Sequence, residues 1–176
     1  MRIQSQSRNL TKLLLCLLLA SVIFVNSPPA RGVVSSATSS QSNYTWPTGG
    51  EVSVLEPFSA PAVAWGSGHR GVDLAYPAGN TVYAAAEGVV VFAGVVVDRP
   101  VVSIDHPDGI RTTYEPVTAT VQAGQHVARG EPIGTLEVGH RDDGTDALHW
   151  GARVGKKEYL NPLLLLEEKT IRLKPW

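Results

Sequence analysis

A chain of 176 residues is long enough for one domain with a proper core and too short for two large ones. Its formal net charge is −1, but Arg2, Arg8 and Lys12 all precede Ala30, and the rest, with 12 basic and 16 acidic groups, carries −4. That balance excludes a nucleic-acid binder working through a basic face and leaves a neutral or mixed polymer, a peptide or a protein as partner.

Residues 1–30 read as a signal peptide: basic residues, then an apolar run over 13–25, then small residues. The run is shorter than the roughly 20 residues of a spanning helix. Export to the cell envelope or the medium is therefore expected, with cleavage between residues 27 and 37. No small-x-small pair fits ideally, so an uncleaved anchor stays open as the alternative. The only cysteine, Cys16, lies inside the apolar run and lacks the small residues that precede a lipid attachment site. It reads as a signal-peptide residue, which leaves the mature chain without disulfides or thiolate ligands.

Residues 31–46, rich in Ser, Thr, Asn and Gln, have the composition of a flexible linker. The folded domain is expected over 47–166, and 167–176 reads as a charged tail. Within the domain the β-type runs are 81–86, 89–97, 101–106, 110–114, 133–138 and 148–154, punctuated by Gly, Pro and Asp. Pro107-Asp108-Gly109 between two β-branched runs predicts a turn. Gly79 and Gly124 each stand three residues before a valine, a weak internal echo. Asn161 and Pro162 can open one short helix over 163–166. Many short strands with regular turns predict an all-β, antiparallel two-sheet sandwich.

Two segments carry chemistry. In Gly68-His69-Arg70-Gly71-Val72-Asp73-Leu74, Gly71 and Val72 make a helix poor, so His69 and Asp73 approach one another if the chain bends at Gly71. In Ala147-Leu148-His149-Trp150, a strand with Leu148 on the core side leaves His149 facing a cleft. Two imidazoles and a carboxylate suit zinc and leave a fourth position for water. By spacing alone, a histidine hydrogen-bonded to a nearby carboxylate explains the pair equally well.

The segments GHRGVDL (68–74), VYAAAEGVVVFAG (82–94), VVSIDHPDGIRTTY (101–114), VQAGQHVARGEPIG (121–134) and LHWGARV (148–154) together resemble the lysostaphin/LytM-type zinc endopeptidases. The match runs in order from about residue 57 to 164. The resemblance implies one Zn²⁺ held by His69, Asp73 and His149, a duplicated, hybrid β-sandwich with a groove across one sheet, and peptidoglycan or its peptide cross-links as substrate. Zinc in such a site polarises the peptide carbonyl and brings the pKa of its water toward ~7.

The sequence departs from that family at two positions. Pro116 stands where a Tyr-x-His-Leu histidine is expected, and Ala147 where the first histidine of a His-x-His pair is expected. Loss of one such donor typically costs about 10²–10³ in rate. Glu115 and His140 are the candidate substitutes. Glu115 is expected to point away from position 116 in a regular strand, and His140 opens the polar loop that leads into the ligand strand. For both, a surface polar role is the plain alternative. His106 and His126 are assigned solvated or structural roles, and Trp65 and Trp150 either line a groove or pack in the core.

Two functions follow. One is an exported zinc metallopeptidase-like domain acting on cell-wall peptides. The other is a non-catalytic module that binds peptidoglycan or regulates another cell-wall hydrolase. Pro116 and Ala147 favour the second and the intact triad the first. A phosphocarrier-type β-domain is a third, weaker reading, opposed by the leader.

Overall fold

The computed structural model describes residues 42–63, 66–156 and 158–167. The expected leader with Cys16, most of the linker, Trp65 and nearly all of the tail lie outside the described residues. Among these residues eleven strands follow one another: β1 (Val54–Glu56), β2 (Gly71–Ala75), β3 (Thr81–Tyr83), β4 (Gly88–Val96), β5 (Arg99–Asp105), β6 (Ile110–Glu115), β7 (Val117–Ala119), β8 (His126–Val127), β9 (Pro132–Leu136), β10 (Ala147–Val154) and β11 (Glu158–Leu160). They form two antiparallel sheets, the larger ordered β1-β2-β10-β6-β5-β4-β8 with β11 also on β10, the smaller β3-β9-β7. The all-β, two-sheet expectation is met.

β-branched and aromatic residues drive the long strands, and their period of two decides which face is buried. In β10 Leu148, Trp150 and Ala152 are buried; in β2 Val72 and Leu74; in β6 Thr112 and Tyr114; in β5 Val102 and Ile104. Val82, Ile133 and Leu136 of the small sheet join them in one core. Trp150 is thus a core residue, not a groove wall. Its neighbours in the alternation, His149 and Asp73, fall on the opposite face.

Several local expectations are sharpened. The Pro107-Asp108-Gly109 turn forms, with Gly109 at φ +83° and the Asp108 carboxylate accepting from Ile110 N at 3.1 Å. Gly79 and Gly124 both sit at positive φ in turns ahead of the buried Val82 and Val127, so the echo marks turn glycines. The run 81–86 stops being a strand at Tyr83, because Ala84, Ala85 and Ala86, all buried, carry the chain from the small sheet to β4 in the large one. There Ala84 N donates to Glu131 O and Ala85 N to the Tyr114 hydroxyl, both at 2.9 Å. The expected helix is a 3₁₀ turn over Pro162–Leu166, with Asn161 accepting from Leu163 N as cap.

The folded unit also reaches further back than residue 47. Tyr44 is 8% exposed and belongs to the core cluster. Its hydroxyl donates to the Asp108 carboxylate at 2.9 Å, and its ring meets the edge of His106. Tyr44 and Trp46, the first large apolar residues of the linker stretch, supply that anchoring. His106 is structural, as expected: one ring nitrogen lies 2.7 Å from Glu87 O, the other 2.8 Å from Thr112 Oγ1, and burial pushes its pKa down. His126 is exposed at the start of β8.

Candidate metal centre

Strand register builds the site. Asp73 of β2 lies opposite His149 of β10, and His149 lies opposite Glu115 of β6, so the three side chains stand in one row on the face away from the core. Glu56 of β1 extends the row beyond Asp73. Glu115, expected on the face opposite position 116, faces the centre, and Pro116 is the buried one of the two. The reason is that its parity is set by pairing with His149, while Pro116 already lies between β6 and β7, after a cis peptide bond.

His69 precedes β2, held by a two-way backbone bridge to Ser59. Its Nε2 lies 3.0 Å from Asp73 Oδ1 and 3.0 Å from His149 Nδ1, which is itself 3.0 Å from Asp73 Oδ1. The triad read from the sequence is thus brought together, and His140 joins it, with Nε2 2.9 Å from the same Asp73 oxygen. One ligand atom from each of these four residues lies within 4.8 Å of the others.

No bend at Gly71 is needed to achieve this. Gly71 is the first residue of β2 and pairs with Gly151. Its role is room: a Cβ there would stand 2.5 Å from Trp150 O and 2.7 Å from His149 Nε2. Gly71→Ala is expected to push the His149 ring off its position and to weaken zinc binding by about 10–100-fold, the range seen when the support of a metal ligand is removed. Competition against a chromophoric chelator measures it.

The other nitrogen of His69, Nδ1, lies 2.9 Å from Pro57 O and donates to that carbonyl, so in the neutral ring Nε2 carries a lone pair. Two imidazole nitrogens and a carboxylate oxygen thus converge at 3.0 Å, a cluster of acceptors that a proton or a cation between them would satisfy. Two nitrogens and one oxygen at this spacing suit a tetrahedral zinc site with a further position for water or His140. The carboxylate has its second oxygen engaged elsewhere: Arg141 Nη1 donates to Asp73 Oδ2 and to Glu56 Oε2, both at 3.2 Å. Arg141 gave no signal in the sequence, because its partners are set by loop placement.

The protein groups alone bias the protons strongly. Burial works to raise the Asp73 pKa, but the hydrogen bonds and charges of His140 and His149 override it and hold the carboxyl far below the usual range. Burial likewise opposes charge on His140, yet Asp73 and Glu115 push its pKa up to about 9. Glu115 is lowered to about 2, first by His140, against its burial, and then by Arg99, whose Nη1 donates to it at 2.9 Å.

The signs define a pH window for the metal-free chain. His140, raised from 6.5, contributes stability in full below that pH and loses it as pH climbs through about 9. Glu115, lowered from 4.5 to about 2, contributes above pH 4.5 and loses it on acidification, as does Asp73. Without metal, thermal stability is expected to peak between about pH 4.5 and 6.5 and to drop by ~5 °C towards pH 9.5. Zinc competes with the His140 proton, so saturating zinc should move the optimum upward; melting curves with chelator or zinc decide it.

Comparison with known proteins places this geometry. The family model described as "Peptidase family M23" matches residues 67–162, the stretch that carries every ligand candidate. Mycobacterium tuberculosis Rv2891 is 46% identical over 143 residues, covering 79% of this chain and 57% of its own length. The chain therefore spans little more than half of that relative. Salmonella typhimurium NlpD, a murein hydrolase activator, is 30% identical over 153 residues, covering 85% of this chain and 38% of its own. The antimicrobial peptidase lysostaphin from Staphylococcus simulans superposes with a TM-score of 0.60 at 20% identity over 72% of this chain and 55% of that one, a likeness of fold. Since the family's model takes in more than half of the chain, and the residues it takes in are the ones that fold into the centre, this protein belongs to peptidase family M23.

Proposed function

We propose that this chain is an exported, zinc-dependent hydrolase of peptide bonds in the bacterial cell wall. The observation that carries the reading is the convergence of His140 on the triad, in a chain where Pro116 and Ala147 can donate nothing. His69, Asp73 and His149 would hold the ion. Zinc, when bound, supplies Lewis-acid polarisation of the carbonyl and an acidified water.

The rest falls to the chain's own side chains. His140 Nε2, beside Asp73 Oδ1, lies where it can donate to oxygen charge that develops next to the metal, the task of the two missing histidines. Its Nδ1 is buried, has no hydrogen-bond partner among the described residues, and stands 3.7 Å from Glu115 Oε1. A small movement of the loop closes that gap into a carboxylate–histidine pair, which orients the ring and takes up positive charge on it. Arg99 keeps Glu115 ionised in that role. The polar loop 140–146 is thus part of the centre, and its lining, with Glu56, His69 and Asp73, forms an open cavity above the ligands.

The second reading, a binding or activating module, draws on the same absence of Pro116 and Ala147 donors and on the likeness to NlpD. Incubating the zinc-loaded protein with purified peptidoglycan and following new amino groups separates the two. Release of amino groups that chelation stops supports the hydrolase. Full zinc occupancy with no release supports the module.

A further inference from the structure

β9 ends at Leu136 and β10 begins at Ala147, and the segment between them turns at Gly139 (φ +93°) and Gly144 (φ +76°). Among the described residues, the backbone of 140–143 is bonded within the loop alone, Gly144 N donating to Arg141 O at 3.3 Å. No ladder holds this stretch to either sheet, so its side chains place it. The end next to β10 is tied down by Asp146, whose carboxylate accepts from Ala78 N at 2.9 Å. The start carries His140 and Arg141.

Register puts Glu56 of β1 directly opposite Asp73 of β2, a destabilising arrangement for like charges. Arg141 answers both, its Nη1 donating to Glu56 Oε2 and to Asp73 Oδ2 at 3.2 Å each. The other edge of the same plane, Nε and Nη2, donates to Asp143 Oδ2 at 3.1 and 2.9 Å. One guanidinium thus joins two strands to the loop that carries it. A lysine ammonium, a compact point charge without the fork, cannot hold this set in one plane. The two oxygens of Asp73 divide the work. Oδ1 faces the ring nitrogens of His69 and His149 at 3.0 Å, and Oδ2 faces Arg141. The loop's other attachment to Asp73, His140 Nε2, also lands on Oδ1, at 2.9 Å. A cation bound by the triad competes for that oxygen. The bonds of Arg141 to Oδ2 and to Glu56 are untouched by the competition.

We propose that Arg141 is a positioning residue, a clasp that holds loop 140–146 on β1 and β2 and keeps His140 beside the loaded centre. It acts through Asp73 and His140 rather than on the substrate. Its effect on turnover rests on the hydrolase reading above; its effect on the place of His140 does not.

The test uses the full chain loaded with cobalt(II), a paramagnetic stand-in for zinc, and reads the NMR shift that the ion imposes on the His140 ring. That shift falls steeply with distance from the ion. Arg141→Gln should lose most of it, while the shifts of β6 and β10 stay and show an intact fold. Arg141→Lys should keep part of it, and Glu56→Ala, which removes an exposed arm of the clasp, should lose part of it. Zinc affinity of Arg141→Gln should fall by about 10–100-fold, as for loss of the support of a ligand. At equal zinc occupancy, amino-group release from purified peptidoglycan should fall by about the same factor. Adding Arg141→Gln to His140→Ala should then cost no further turnover, because coupled residues are not additive. A His140 shift unchanged in Arg141→Gln, or a full further loss in the double variant, overturns the clasp while the hydrolase reading stands. Where Arg141→Gln does not fold, Arg141→Lys and Glu56→Ala decide, and an unchanged shift in both overturns it. If wild type releases no amino groups but its His140 shift still depends on Arg141, the hydrolase reading falls and the clasp stands.

Discussion

Asp73→Ala is expected to abolish zinc binding and to destabilise the metal-free chain by about 3–5 kcal/mol, the cost of leaving buried charges without their counter-ion. Asp73 is 2% exposed and is the common partner of His69, His140, His149 and Arg141. Removing it leaves the His140 imidazolium without its nearest carboxylate and takes one of three carboxylate partners from Arg141. Asp73→Asn keeps the volume and one acceptor, so it should recover part of the stability and little of the metal affinity. Zinc at 100 times its dissociation constant adds about 2.7 kcal/mol to a chain that binds it. Wild type should therefore melt several degrees higher with zinc, and Asp73→Ala should not respond. Urea unfolding with and without zinc measures both effects.

His140→Ala is expected to separate binding from turnover. The triad His69, Asp73 and His149 remains, so zinc affinity should fall by less than about 100-fold, as for loss of a supporting group. Hydrolysis should fall by about 10²–10³, the usual cost of losing one donor to a developing oxyanion. His69→Ala should instead lose metal and rate together. Glu115→Gln tests the link between the two groups: with the carboxylate gone, the His140 pKa should move down from about 9 towards its ordinary value, visible by NMR of the ring. A His140→Ala protein with undiminished hydrolysis would remove the loop from the chemistry.

The long strands were readable because each leaves a local trace, whereas His69, Asp73 and His149 were named through the family resemblance and not by their spacing. β4, β5, β6 and β10 are β-branched runs bounded by turn residues, and their ends fall within a residue or two of expectation. The Pro107-Asp108-Gly109 turn carries its own geometry. β1 left no such trace: Val54, Leu55 and Glu56 are all exposed, so no alternation announces them. The anchoring of Tyr44 depends on Asp108, 64 positions away. That Glu115 faces the centre while Pro116 is buried depends on the register with β10, which no local pattern encodes. The same applies to Arg141, whose partners Asp73 and Glu56 are set by loop placement. Hydrophobic periodicity reports which residues are buried, and only the register reports which polar residues meet.

The most direct measurement is hydrolysis of purified peptidoglycan by the protein carrying one zinc per chain, with His140→Ala at the same zinc occupancy beside it. New amino groups from wild type, lost on chelation and reduced at least 100-fold in His140→Ala, are the expected result. One zinc per chain with no amino groups released by wild type would contradict the assignment of this centre as catalytic.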